Sequence, residues 1–244
     1  MHPVHAEPDA YSSTIAPWYL MRDVTAMVVA WESEHFRATP GMPDSRQLFL
    51  RLHLIQEELA ELVEAMAEQD GIGMLDALGD LDVVVTGTWL ALGLQGSRST
   101  LEMDVSLPRE SFCGPLSMKS LIMVTKLQAP LAGLAQAFAD ESVSSCLSNL
   151  HGLDMALTCA WAVLGMNDMR QEVSTEILRS NLSKLDPATG KVIKTAAGRV
   201  QKGPAYSKPD LKTILDRFFG SLYDDNDGEA PCCEDRSCPG ADHS

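Results

Sequence analysis

Glu57, Glu58 and Glu61 stand at a spacing that can gather carboxylates on one helical face, because positions three and four apart are neighbours on a helix. Asp76 and Asp80, four apart, do the same a short distance downstream. If a tight turn joins the two segments as antiparallel helices, all five acids point into one seam. Anions so close repel one another unless a cation sits among them. An oxygen-only donor set suits Mg²⁺, with Mn²⁺ as a substitute. The bland reading is a solvated acidic face, the usual meaning of an EExxE run taken alone. No His lies three residues after Glu58 or Glu61, as a di-iron bundle would need. HExxH, a Walker A loop and a nucleophile elbow are also absent.

The elements that must position these acids follow from hydrophobic spacing. Trp18 to about Arg37 reads as a helix, ended by Pro40, Gly41 and Pro43. With Ser45 as its N-cap, a second helix runs to about Gln69 on the stripe Leu48, Leu52, Ile55, Leu59, Leu62 and Met66. Gly71 and Gly73 are expected to make the turn, and a third helix to run from about Met74 to Leu94. Its Val83-Val84-Val85 run suggests a strand, but the segment is too long for one and its acids are helically spaced. Residues 95–114 read as a connector.

The chain then repeats itself. Ile55–Leu94 aligns without a gap onto Leu127–Met166, each pair 72 positions apart. Gln56, Leu59, Leu62, Asp82, Trp89 and Gly93 recur as Gln128, Leu131, Leu134, Asp154, Trp161 and Gly165. The acids do not recur: Glu57, Glu58 and Glu61 become Ala129, Pro130 and Gly133, and Asp76 and Asp80 become Ser148 and Gly152. A merely solvated face gives no reason for five acids to vanish together while the core pattern stays. The expectation is a tandem duplication with one working cluster (copy 1, about 45–94) and a degenerate copy 2 (about 115–166) kept for packing. Asp82 and Asp154, present in both, are assigned a structural role.

Residues 179–212 invert the composition, with eight of the 19 basic residues and only two of the 34 acids. Such a strip can hold a polyphosphate against a metal cluster, though an ordinary solvated basic hairpin fits as well. Its glycines and Gly203-Pro204 argue for a loop or hairpin rather than a helix. The whole chain of 244 residues carries a formal charge of −15, which disfavours nucleic-acid polymers and anionic membranes as partners. The longest uninterrupted apolar stretch, from Val83 to Leu94, is too short to span a bilayer. Six cysteines, three of them in the last dozen or so residues, do not form a secreted disulfide framework, and a cytoplasmic location is expected. Cys232, Cys233, Cys238 and His243 can be drawn as zinc ligands, but the acidic segment 224–244 reads better as a disordered tail, and 1–17 as a flexible terminus.

The stretch Leu50 to Ala65, with its EExxE helix, resembles MazG-like and phosphoribosyl-ATP pyrophosphohydrolase-like proteins. Asp76–Asp80 followed by Val83–Gly87 resembles their second acidic helix. Glu176–Lys184, Gly190-Lys191 and Gly198–Tyr206 resemble the tail of phage-type members. The resemblance implies an all-α, Mg²⁺-dependent hydrolase that cuts the α–β phosphoanhydride of a nucleotide, converting an NTP or dNTP to monophosphate and pyrophosphate, with dGTP or dUTP as leading substrates. It implies Glu58, Glu61 and Asp80 as metal ligands and Glu57 as a further ligand or the base, with Asp76 standing in for a family Glu that is Ala77 here. Asn181, Lys184, Arg179, Lys191, Lys202 and Tyr206 are the candidate nucleotide contacts. A homo-oligomer, dimer or tetramer, is also implied. One catalytic domain over 18–223 is expected, with its basic segment at 176–212. A non-catalytic nucleotide sensor and a helical interaction protein are the rival classes.

Overall fold

A computed structural model describes residues 40–94, 97–98, 117–194 and 200–224, with side chains to Phe218. Six α-helices account for most of these: α1 Ser45–Glu68, α2 Gly71–Ala91, α3 Met118–Ala139, α4 Val143–Val163, α5 Arg170–Leu182 and α6 Leu211–Asp224. The described part is all-α. Among the described residues the only β-type pairings are two isolated antiparallel bridges, Leu185 with Val192 and Lys194 with Val200. The helix expected over 18–37 and most of the 95–114 connector lie outside the described residues, as does the cysteine-containing segment beyond Asp224.

Helix α1 buries Ile55, Leu59, Leu62 and Met66, one apolar stripe at i, i+4, i+7 and i+11. Its cap is Asp44, not Ser45: the Asp44 carboxylate accepts from the Gln47 N–H at 2.9 Å, and Ser45 is already helical. The next turn is also made differently from the expectation. Gln69 adopts a left-handed φ of 57°, Asp70 caps α2 through the Ile72 N–H at 3.0 Å, and Gly71 and Gly73 lie inside the helix. Helix α2 therefore starts three residues earlier than its glycines suggest and ends at Ala91 rather than Leu94. Val83–Val85 are helical, since packing outweighs a modest β-branched penalty.

Helices α1 and α2 form one antiparallel hairpin and α3 and α4 a second, joined through one continuous core. The hairpins correspond end for end at the 72-residue offset. Left-handed Gln69 and Glu141 close α1 and α3 at φ 57° and 50°, and Asp70 and Ser142 cap α2 and α4. Gly93 and Gly165, at φ 68° and 70°, follow α2 and α4, and the next N–H in each case bonds back to a tryptophan carbonyl at 2.9 Å. Trp89 and Trp161 are fully buried at the centre. Helix α5 lies against α2, and α6 packs on α2 and α5. Of the described helices only Met118–Ala139 is long and apolar enough to cross a membrane by length and composition, and Lys119 and Lys126 interrupt it. In this fold it is a bundle helix that buries Leu127, Leu131, Leu134 and Phe138.

Candidate active site

The seam between α1 and α2 brings the acids together. Glu57 and Glu58 on α1 are half-buried, as are Asp76 and Asp80 on α2, while Glu61 is exposed at the rim. Burial pushes the Glu58 carboxyl up to about 8, and the charges of Asp80, Glu61, Glu57 and Asp76 push the same way. Asp80 rises to about 7, again first through burial and then through Asp76 and Glu61. Lys184 and the neighbouring Asn181 amide pull it back. Burial also raises Asp76, against the opposing pull of Lys184, Lys208 and Lys202. Ala77, where an acid is expected from the resemblance, is buried in the core, so Asp76 is the residue that faces the seam.

The basic side comes from the end of α5 and the loop that follows it. The expectation of a loop throughout 179–212 is corrected here: Arg179 and Asn181 are on α5, and Lys212 is on α6. Helix α5 reaches α2 at Gly79, where a Cβ would stand only 2.8 Å from the Ile177 side chain and 3.2 Å from Val173. That close approach sets Asn181, one turn beyond Ile177, beside Asp80. Asn181 is buried and its Oδ1 accepts from Lys184 Nζ at 2.7 Å. Burial lowers the Lys184 pKa, while Asp80, Glu58 and Asp76 support its charge and Lys202 opposes it. Lys184 thus stands at the mouth of the acid seam.

The loop over 200–210 is pinned to α5. Ser180 and Ser183 hydroxyls reach the Ser207 carbonyl at 2.9 and 3.3 Å, and the Ser207 N–H donates to Ser183 at 2.8 Å. Gly203 crosses the chain so closely that a Cβ would meet the Lys184 carbonyl oxygen at 2.9 Å, and only glycine fits. The pinning carries Lys202 to the site, with its ammonium 4.9 Å from the centre of the Tyr206 ring.

Not every residue singled out from the sequence joins this group. The Arg179 guanidinium is engaged by Glu176 at 2.7 and 2.8 Å and by the Lys208 carbonyl at 2.7 Å, so it holds the loop rather than the seam. Lys191 is exposed on the turn after Asp186, and no described interaction joins it to the acids. His53 is exposed, 3.8 Å from Glu57. Lys208, which faces Asp76, is the residue the sequence reading passed over. Only the concentration of lysines between 179 and 212 hinted at it. Among the described residues no three carboxylate, imidazole or thiol groups form a ready-made metal cage; the acids face one another without closing into one.

Residues 33–102 match the family model of phosphoribosyl-ATP pyrophosphohydrolase, which spans α1, α2 and the five acids. That agrees with the resemblance carried by these two helices. No curated protein and no solved structure matches the chain.

Proposed function

We propose that the acidic hairpin and the basic loop form a metal-assisted nucleoside triphosphate pyrophosphohydrolase site, which converts a (d)NTP to (d)NMP and pyrophosphate. The observation that carries this reading is the gathering of five mutually repelling carboxylates from two helices in one seam, with Lys184 acting on Glu58, Asp76 and Asp80, and Lys202 and Lys208 on Asp76. The donor set fits Mg²⁺ or Mn²⁺. It is all oxygen, and its two most strongly shifted members resist ionisation in a way that a divalent cation relieves.

In this reading Glu58, Glu61 and Asp80 hold the ion, with Asp76 and Glu57 as further oxygen donors. The ion, when bound, neutralises phosphate charge and lowers the pKa of a coordinated water. Glu57, where it is not a ligand, takes the proton of the attacking water. Lys184 and Lys202 offset the charge that develops on the departing pyrophosphate. Asn181, held by Lys184, contacts the nucleotide, and Tyr206 supports Lys202 from below. Arg179 and Lys191 add only longer-range attraction.

We read the two hairpins as a tandem duplication, a pseudo-dimer in one chain in which α3–α4 supports the site of α1–α2. The shared caps and left-handed turns support this. The resemblance adds dGTP or dUTP as substrate, a role in the dNTP pool of a phage-infected cytoplasm, and association into dimers or tetramers.

The test is pyrophosphate release with Mg²⁺ across the eight common NTPs and dNTPs, for the natural chain and Glu58→Ala. Monophosphate and pyrophosphate from one substrate, lost in the variant, supports the reading and names the nucleotide. Nucleotide binding without turnover in the natural chain would favour a sensor instead.

A further inference from the structure

Two buried ion-pair networks cross between the hairpins, and they mirror each other at the same 72-residue offset. Arg170 donates to Asp82 from Nη2 at 2.7 Å and from Nε at 3.2 Å, and its Nη1 reaches Thr158 at 3.1 Å. Arg98 donates to Asp154 from Nη2 at 2.6 Å and from Nε at 2.9 Å, and its Nη1 reaches Thr86 at 2.9 Å. Each arginine lies over a tryptophan ring, Arg170 on Trp161 at 5.7 Å and Arg98 on Trp89 at 5.6 Å. Each arginine therefore follows one hairpin and holds the aspartate of the other, the reciprocal pattern of a two-fold interface. The Trp161 indole N–H adds a bond to Asp82 at 2.9 Å.

The two networks differ in what they carry. Arg170 is the first residue of α5, and Asp82 lies two residues past Asp80 on α2. Arg170, Val173, Ile177 and Asn181 share one face of α5; Arg170 holds Asp82, Val173 and Ile177 pack over Gly79, and Asn181 lies beside Asp80, all within one turn of α2. A planar, forked guanidinium held on both carboxylate oxygens fixes orientation as well as distance. Eleven residues further on, about 16 Å along the helix axis, the same helix presents Asn181 and then Lys184. Arg98 stands at the matching place in the other half, next to the acid-free hairpin.

We propose that Arg170, with Asp82, Thr158 and Trp161, is a positioning group that sets the register of α5 on α2 and so delivers Asn181 and Lys184 to the carboxylates. This rests on the reading that those groups form the catalytic site. Arg98, with Asp154 and Thr86, is its built-in control: the same forked chemistry in a slightly more exposed setting, without a site to position.

The experiment compares Arg170→Lys with Arg98→Lys in the full chain, each keeping its charge but losing the fork. Thr158→Val and Thr86→Val form a milder pair in case a lysine variant does not fold. Three quantities are measured: melting temperature, KM and kcat for pyrophosphate release, and the rate at which an amine-modifying reagent labels Lys184, read by mass spectrometry. Both members of a pair are expected to melt lower. Only the Arg170 and Thr158 variants should raise KM, by about tenfold for Arg170→Lys, within the range that sub-ångström to 1 Å misplacement produces. The same variants should label Lys184 several-fold faster, by an amount that follows the loss of register.

Equal KM and equal Lys184 labelling within each pair, with melting lowered in both, would reduce Arg170 to a packing residue and overturn the proposal. If the natural chain releases no pyrophosphate from any nucleotide, the functional reading fails. Faster Lys184 labelling confined to the Arg170 and Thr158 variants would still uphold the positioning of α5.

Discussion

The hairpin α1–α2 and the hairpin α3–α4 have nearly the same helix lengths, the same left-handed turn and the same central tryptophan, yet their seams are opposite in kind. In the first, Glu58, Asp76 and Asp80 line a charged cleft. In the second, the positions of Glu61 and Asp80 are glycines, and the space is taken. A Cβ on Gly133 would stand 2.1 Å from Asn149 Oδ1, and one on Gly152 would stand 3.1 Å from the Pro130 ring. Where the acids are missing, the seam is closed. One helical frame carries either a carboxylate-lined seam or a tight contact, and the side chains at five positions decide which.

The sharpest way to break that contrast is by activity. Asp80→Asn should reduce pyrophosphate release by about a thousandfold, the scale of several kcal/mol of lost charge stabilisation. Asn149→Ala, in the closed seam, should leave kcat/KM unchanged. Equal losses in a steady-state assay would mean that both hairpins, or neither, house the chemistry.

Reinstalling acids tests closure directly. Gly133→Glu should lower stability by about 1–3 kcal/mol through overpacking, and Tm by about 2–4 °C per kcal/mol in a chain of this size. No gain in metal-dependent stability should accompany it. A calorimetric scan in which Mg²⁺ raises the Tm of this variant more than that of the natural chain would show that the second seam can reopen.

The open seam should also make stability depend on pH. A carboxyl raised from 4.5 to about 8 keeps its proton in the folded chain over a range where the unfolded chain has released it. Its contribution is therefore fully present below about pH 4.5 and is lost as pH rises to about 8. Metal-free protein should lose stability across that window. Glu58→Gln should flatten the slope, and Mg²⁺ should restore the loss at the alkaline end. Urea melts at several pH values decide it; an unchanged slope in Glu58→Gln would refute the assignment.

The smallest effect is at the rim. Lys202→Ala should lower kcat a few-fold, the size of an exposed charge worth up to about 1 kcal/mol, with KM nearly unaffected. Lys191→Ala, on the exposed turn, should change neither.

Much of this arrangement was legible because its signals are local. The apolar stripe of α1, the i,i+4 acids and the 72-residue repeat need only neighbours along the chain. What escaped depended on contacts far apart in sequence or on single atoms. Asp44 takes the cap from Ser45 because its carboxylate reaches the Gln47 N–H, a choice between adjacent cap-forming residues that composition does not make. Gly71 and Gly73 look like a turn, but Gln69 accepts the left-handed conformation and Asp70 caps the helix before either glycine. Helix α5 is polar along much of its length, so its start at Arg170 becomes clear only through Asp82, 88 residues earlier. Lys208 needed the loop pinned to Ser180 and Ser183 before it could be seen facing Asp76.

The reciprocal braces also bear on how the chain reaches its native state. Each hairpin can form from neighbours in sequence, on the fast timescale of local contacts. Arg98 and Asp154 are 56 residues apart, and Arg170 and Asp82 are 88 apart. Neither pair can close until both hairpins exist and have docked. The charges therefore stay in water through the early steps and are buried together at the end, which ties the two halves into one cooperative unit that neither half can complete without the other.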